Sequence, residues 1–185
     1  MKNTIVCMIL SFLFVNAPAQ DKFFTKSGKI SFDATAPHSP ENIVGVNKSA
    51  TCVMDVKTGL LQFSVLMKGF EFDRALMQEH FNENYVESNQ YPKAEFKGAF
   101  ANLADINFQK DGSYTVSVKG KLTIHGKTKD VNAEGKLLVK GQRLLLNSVF
   151  TEKLTDYAVT IPQLVADKVS PLVKITVDCT LEPLK

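Results

Sequence analysis

From Lys29 to the end of the chain, apolar and polar residues alternate with a period of two, the mark of strands with one buried face. Residues 29–36 form the first such run, ended by the turn-rich Pro37-His38-Ser39-Pro40. Residues 43–55 form the second, ended by Lys57-Thr58-Gly59. Leu61, Phe63, Val65 and Met67 are then apolar at every second place, against Gln62, Ser64 and Lys68. A further strand is expected at residues 93–100, and Lys110-Asp111-Gly112 has the Asp-Gly pair of a tight hairpin turn. Next, Tyr114, Val116, Val118, Leu122 and Ile124 face one way, and Gly120 on that face marks a bend or a close approach. His125-Gly126-Lys127 turns the chain, Val131, Ala133, Gly135, Leu137 and Val139 carry the apolar face back, and Lys140-Gly141-Gln142 leads into residues 143–150. Residues 151–170 carry no readable period, because Thr160-Ile161-Pro162 breaks any strand. Val173, Ile175, Val177, Cys179 and Leu181 close the series. The expectation is an all-β domain of about eight antiparallel strands, the number at which a closed barrel has an interior that side chains fill or one ligand occupies.

One stretch departs from this period. FEFDRALMQEHFNENYVESNQYPKAEFKGAF, from Phe70 to Phe100, reads as one amphipathic helix near residues 73–88 followed by a strand. Asp73 is the expected cap for the first turn, with Phe72 packing on Met77. Leu76 and His80 share a face at a spacing of four, as do Met77, Phe81 and Tyr85. The helix ends near Ser88-Asn89, and Tyr91-Pro92 holds an extended connection into the next strand. A lone amphipathic helix among strands needs an apolar partner surface, and the mouth of the barrel is the obvious one.

Composition adds a compartment. Residues 1–19 have a positive Lys2, a short apolar run and Ala17-Pro18-Ala19, the small-x-small pattern of a cleavage site, so they read as a secretory signal peptide. Residues 20–185 then form one exported domain, periplasmic or secreted, with no integral membrane span in the mature chain. The net charge is +3 with the signs interspersed, which leaves no basic stripe for nucleic acid. Cys52 and Cys179 both look strand-borne, and export puts them where disulfides persist. A bridge would stabilise by about 4–5 kcal/mol in the chain-entropy model; two buried free thiols are the equal alternative.

Candidate chemistry is thin. His38, His80 and His125 lie in a turn, a helix and a turn with no metal-ligand spacing, so no metal is expected. His125 precedes Gly126 at a hairpin, which suggests a turn role. No Gly-x-Ser-x-Gly elbow and no phosphate loop occur, so no catalytic residues are assigned and no enzyme is expected. The positive case is apolar: Phe63, Val65 and Met67, then Phe96 and Phe100, then Val116, Val118 and Leu122 face inward, toward a space that Met77, Phe81 and Tyr85 border. Periodicity allows either a packed core or a ligand-holding lumen.

Two stretches resemble the signature regions of the YceI-like, polyisoprenoid-binding proteins: MQEHFNENYVESNQYPKAEFKG (Met77 to Gly98) and GKLTIHGKTKDV (Gly120 to Val131). The resemblance covers the chain from about Phe23 to Leu184. It implies a single extended, lipocalin-like antiparallel β-barrel whose lumen takes an isoprenoid or other amphiphilic lipid chain, a hydrophobic small-molecule ligand held without any other cofactor. The inward residues above, with His80, would then line the lumen, and His80, Asn84 or Tyr85 would anchor a head group. Oligomeric state stays open, a homodimer included. The rival reading is a packed barrel serving stress response or protein interaction through its outer surface; an enzyme acting on a lumenal lipid ranks below both.

Overall fold

The computed structural model describes residues 21–184. The expected signal peptide, residues 1–19, lies outside them. Eight strands close into an antiparallel barrel in chain order: β1 (Lys22–Thr35), β2 (Val44–Asp55), β3 (Leu60–Leu66), β4 (Lys93–Phe100), β5 (Gly112–Ile124), β6 (Lys127–Lys140), β7 (Arg143–Lys153) and β8 (Val169–Pro183). Closure is by β1 against β8, through pairs such as Ile30 with Val177 and Phe32 with Ile175. Among the described residues each strand has a neighbour on both sides, so the barrel has no edge strand and lacks the usual route to edge-to-edge association.

β1 begins seven residues before its expected start. Its first half hides from a period-two reading because the register with β2 shifts between Thr25 and Gly28, so the inward phase is broken there. Thr25 Oγ1 accepts the Ser27 backbone N–H inside this irregularity. At the other extreme, His125 and Gly126 make a two-residue hairpin turn with φ of +48° and +69°. Both positive values match the twist of the flanking strands, and Gly126 has no Cβ to oppose one.

Antiparallel neighbours put the connections alternately at two ends. At one end, residues 101–111 form a lid rather than the expected hairpin. β4 stops at Phe100, Ile106 is buried, and Leu103 and Phe108 pack on the core. Lys110-Asp111-Gly112 is therefore only the end of a long connection; the Asp111 carboxylate accepts the Gly141 N–H at 2.8 Å from the neighbouring turn. This end is solid, filled by Met54, Phe100, Leu137, Val139, Leu144 and Leu181, with Leu61 and Val116 at its upper boundary.

The cysteines lie in the same core, both buried and both free. They sit on β2 and β8, which flank β1 and are not neighbours. Gly28 of β1 leaves the room the Cys179 sulfur occupies, since a Cβ there would fall 2.6 Å from it. Of the two alternatives for these residues, the structure has the free thiols.

At the other end, residues 67–92 carry the helix. It is shorter than expected: α1 spans Ala75–His80 and runs into a π-helical turn, Phe81–Tyr85. Asp73 is not its cap. Arg74 holds that position in extended conformation with no side-chain cap. The reason lies upstream, where Glu71 is hydrogen-bonded in both directions to Val46 of β2, at 3.0 and 2.9 Å, so the chain is free to coil only after it. Phe72 packs on Phe32 and Phe81. The turn ends at Val86, and Glu87 at φ +45° reverses the chain three residues before Gln90.

Candidate functional site: an apolar cavity open at one end

Above the solid base the barrel is hollow. A cavity of about 460 Å³ runs up to the end that carries α1 and is lined by side chains from seven of the eight strands. β2 is the exception, because Phe32 and Phe72 cover Gly45, where a Cβ would meet the Phe32 ring at 2.5 Å. Four phenylalanines gather there. Phe81 stacks on Phe32 with centroids 5.3 Å apart and meets Phe70 and Phe72 at 5.6 and 5.0 Å. This cluster fastens the helical segment to the wall, and each ring pair adds about 0.5–1.5 kcal/mol beyond its area.

Of the residues expected to line the lumen, Phe63, Val65, Met67, Met77, His80, Phe81, Tyr85, Phe96, Val116, Val118 and Leu122 all border the cavity. Phe100 does not. It is the last residue of β4, so its ring belongs to the packed base. Asn84 is exposed and off the cavity wall, because the π-helical turn rotates it away from the side that carries Phe81 and Tyr85. His80 stands at the exposed edge of the opening.

The polar groups that do face the cavity were not legible beforehand. Tyr157 is buried and donates its hydroxyl to Glu152 Oε2 at 2.8 Å. Both lie where the hydrophobic period is lost. Burial pushes the Glu152 carboxyl above the ordinary range, the Tyr157 bond pulls it back, and Asp156 raises it again. Tyr157 is pushed up by burial and by its carboxylate partner, so its hydroxyl remains a donor. Burial also raises the Tyr85 phenol, which borders the same space.

His125 has a second role besides its turn. Its ring is largely buried, packs edge-on against Tyr91 at 4.5 Å, and presents Nδ1 to the Tyr157 carbonyl at 3.1 Å and Nε2 to Glu87 Oε2 at 2.7 Å. Three connections at the mouth are tied by this one side chain, those from β3 to β4, β5 to β6 and β7 to β8.

A family model described as a YceI-like domain matches residues 10–181. The chain belongs to the YceI-like family. Solved structures carry the same fold at low identity. A polyisoprenoid binding domain from Saccharophagus degradans, implicated in plant cell wall breakdown, aligns at a TM-score of 0.76 with 11% identity, over 89% of this chain and 99% of that one. Burkholderia cenocepacia BcnA aligns at 0.67 with 20% identity, over 83% and 95%. The Campylobacter jejuni YCEI protein aligns at 0.59 with 14% identity, over 78% and 87%. No curated protein matches the sequence. In this YceI-like barrel the two signature stretches have distinct places: the first runs from α1 into β4, and the second is the β5–β6 hairpin around His125.

Proposed function

We propose that this YceI-like protein is an exported, non-catalytic binding protein that holds the hydrocarbon chain of an isoprenoid or other amphiphilic lipid inside its barrel. The observation that carries this reading is the cavity of about 460 Å³, within the ~300–1,000 Å³ usual for small-molecule sites and walled almost entirely by aliphatic and aromatic side chains. Membership of the family and the shared fold with a polyisoprenoid binding domain support the ligand class.

Binding rests on burial. Each CH₂ taken from water contributes about 0.8 kcal/mol, so affinity grows with the length of chain enclosed and depends little on the head group. Branch methyls suit a wall of Val, Ile and Phe. The leader at residues 1–19 is the basis for placing the protein outside the cytoplasm.

The test is mass spectrometry of an organic extract from protein exported by a bacterial host and purified without detergent, followed by titration with isoprenoid quinones and fatty acids. A stoichiometric long-chain lipid is expected. Ala133→Phe and Ala94→Phe, which fill the cavity from two strands, and Val118→Arg should each abolish uptake, while the exterior change Lys119→Glu should leave it intact. Folded cavity-filled variants that still take up lipid would refute the lumen as the site. A barrel that never yields or accepts a lipid would move the search to the outer surface.

A further inference from the structure

Running up β7 from the packed base, every second side chain faces inward: Leu144, Leu146, Ser148, Phe150 and then Glu152. The last of these puts a half-buried carboxylate on the inner wall near the mouth, across from the buried Val173 of β8. An ionised group in such a setting costs free energy unless partners match it. The protein matches it only in part. Tyr157 donates its hydroxyl to Glu152 Oε2 at 2.8 Å, and no other group among the described residues is hydrogen-bonded to the carboxyl. None of the ion pairs among the described residues includes Glu152, and Asp156 adds a like charge beside it. A carboxylate has about four acceptor sites, so most of its capacity is open to whatever occupies the cavity. Ser148, nearer the base on the same face, is already satisfied, since its hydroxyl donates to the Glu134 carbonyl at 2.6 Å.

We propose that Glu152 Oε1 accepts a hydrogen bond from the head group of the bound chain, so that the cavity selects amphiphiles whose head carries a donor and no negative charge: a long-chain alcohol, amide or amine. The inference deepens the reading of the barrel as a lipid carrier and rests on it. Chain burial supplies the bulk of the affinity, and the carboxylate ranks chains of equal length by their heads. A hydroxyl gives Oε1 a charge-assisted bond, about twice as strong as a neutral one. An ether head leaves Oε1 desolvated without a partner. An ionised acid or phosphate head has the same defect and brings a second negative charge to the site.

Lys153 and Lys168 also border the opening. Lys153 is the next residue after Glu152 and is exposed, and Lys168 lies in the β7–β8 connection. These two are where an anionic head would sit, so the charge of the preferred head group separates the two positions.

The experiment measures dissociation constants at pH 8 for farnesol, farnesyl methyl ether and farnesoate, which share one chain, by displacement of a fluorescent apolar probe from protein exported by a bacterial host. Farnesol should bind about tenfold tighter than the ether and at least as much tighter than the acid. Glu152→Gln keeps an acceptor for Tyr157, removes the charge and adds N–H donors, and should bring the acid to within about threefold of the alcohol. Tyr157→Phe breaks the same hydrogen bond and keeps the charge, so the wild-type order should hold. Comparing each ratio between wild type and variant cancels the ligands' own hydrophobicity, and the wild-type order tests the proposal even where a variant does not fold. Loss of the order in both variants would trace it to the shape of the wall and overturn the assignment. Equal affinity for all three ligands, abolished by Ala133→Phe, would overturn the subsite and leave the carrier. Tightest binding of farnesoate would overturn it as well and assign the head to Lys153 and Lys168. Uptake of none of the three would remove the carrier and the subsite with it.

Discussion

Gly98 of β4 and Gly120 of β5 stand opposite each other in the barrel wall, and the Phe96 ring lies across both. A Cβ at Gly120 would fall 2.5 Å from the Lys97 carbonyl oxygen and 2.6 Å from the Gly98 Cα; one at Gly98 would fall 2.5 Å from the Lys119 carbonyl oxygen. The bare backbone lets the two strands coil closely and gives the ring, which lines the cavity, its resting place. Gly120→Ala should destabilise by about 2–3 kcal/mol in denaturant melts. Adding Phe96→Ala should recover little of that, because the carbonyl clash is with backbone. Recovery to near wild type would show that the ring alone demands the glycine.

Glu152 sets a pH dependence of known sign. Its carboxyl titrates higher in the folded barrel than in the unfolded chain, chiefly through burial. As pH rises from the unfolded value through the folded one, the unfolded state loses its proton first, so folding stability falls across that window and levels off above it. Glu152→Gln keeps an acceptor for the Tyr157 hydroxyl and removes this term. The stability of the variant relative to wild type should therefore grow between pH 4 and pH 7, measured by urea melts at both. A constant difference would mean that the carboxyl is free of the burial described here.

His125 joins three mouth connections, and its removal should loosen all three. His125→Asn retains a residue that tolerates positive φ while deleting both ring hydrogen bonds. The expected cost is about 2 kcal/mol. Amide hydrogen exchange should quicken in residues 87–91 and 154–158 and stay unchanged in the solid base. Uniform quickening would indicate global destabilisation in place of a local clasp.

The two cysteines should be inert in the folded protein. Burial pushes the Cys179 thiol up to about 12, with Asp178 adding to it, and raises Cys52 too, with Cys179 adding to it. Neither supplies thiolate at pH 8. A colorimetric disulfide reagent should label neither in native protein over minutes and both in denaturant. Rapid native labelling would show an open base, and loss of both signals in denaturant without reductant would show that they bridge.

Packing at the mouth should depend on Phe81. Phe81→Ala removes three ring contacts and should cost about 3 kcal/mol by thermal or urea melts. A cost under 1 kcal/mol would mean that the helical segment is held by its backbone bonds to β2 instead.

The sequence by itself determined the strands, because a period of two over eight runs admits one buried face per strand; that they close into a barrel is what the family resemblance implied and the pairing of β1 with β8 shows. It also determined most of the wall, since Phe63, Val65, Met67, Phe96, Val116, Val118 and Leu122 could face only inward once their strands existed. What only the tertiary structure decided was depth and end. Phe100 has the same phase as Phe96, yet residues 101–111 plug the base around it, and no local pattern records where a plug will fall. α1 lost its expected first turn to a hydrogen-bonded bridge between Glu71 and Val46, two residues far apart in the chain. Cys52 and Cys179 share a core without being neighbours, a matter of strand order. Glu152, Tyr157 and His125 came together from separate connections, where short-range periodicity ends and position is set by packing across the mouth.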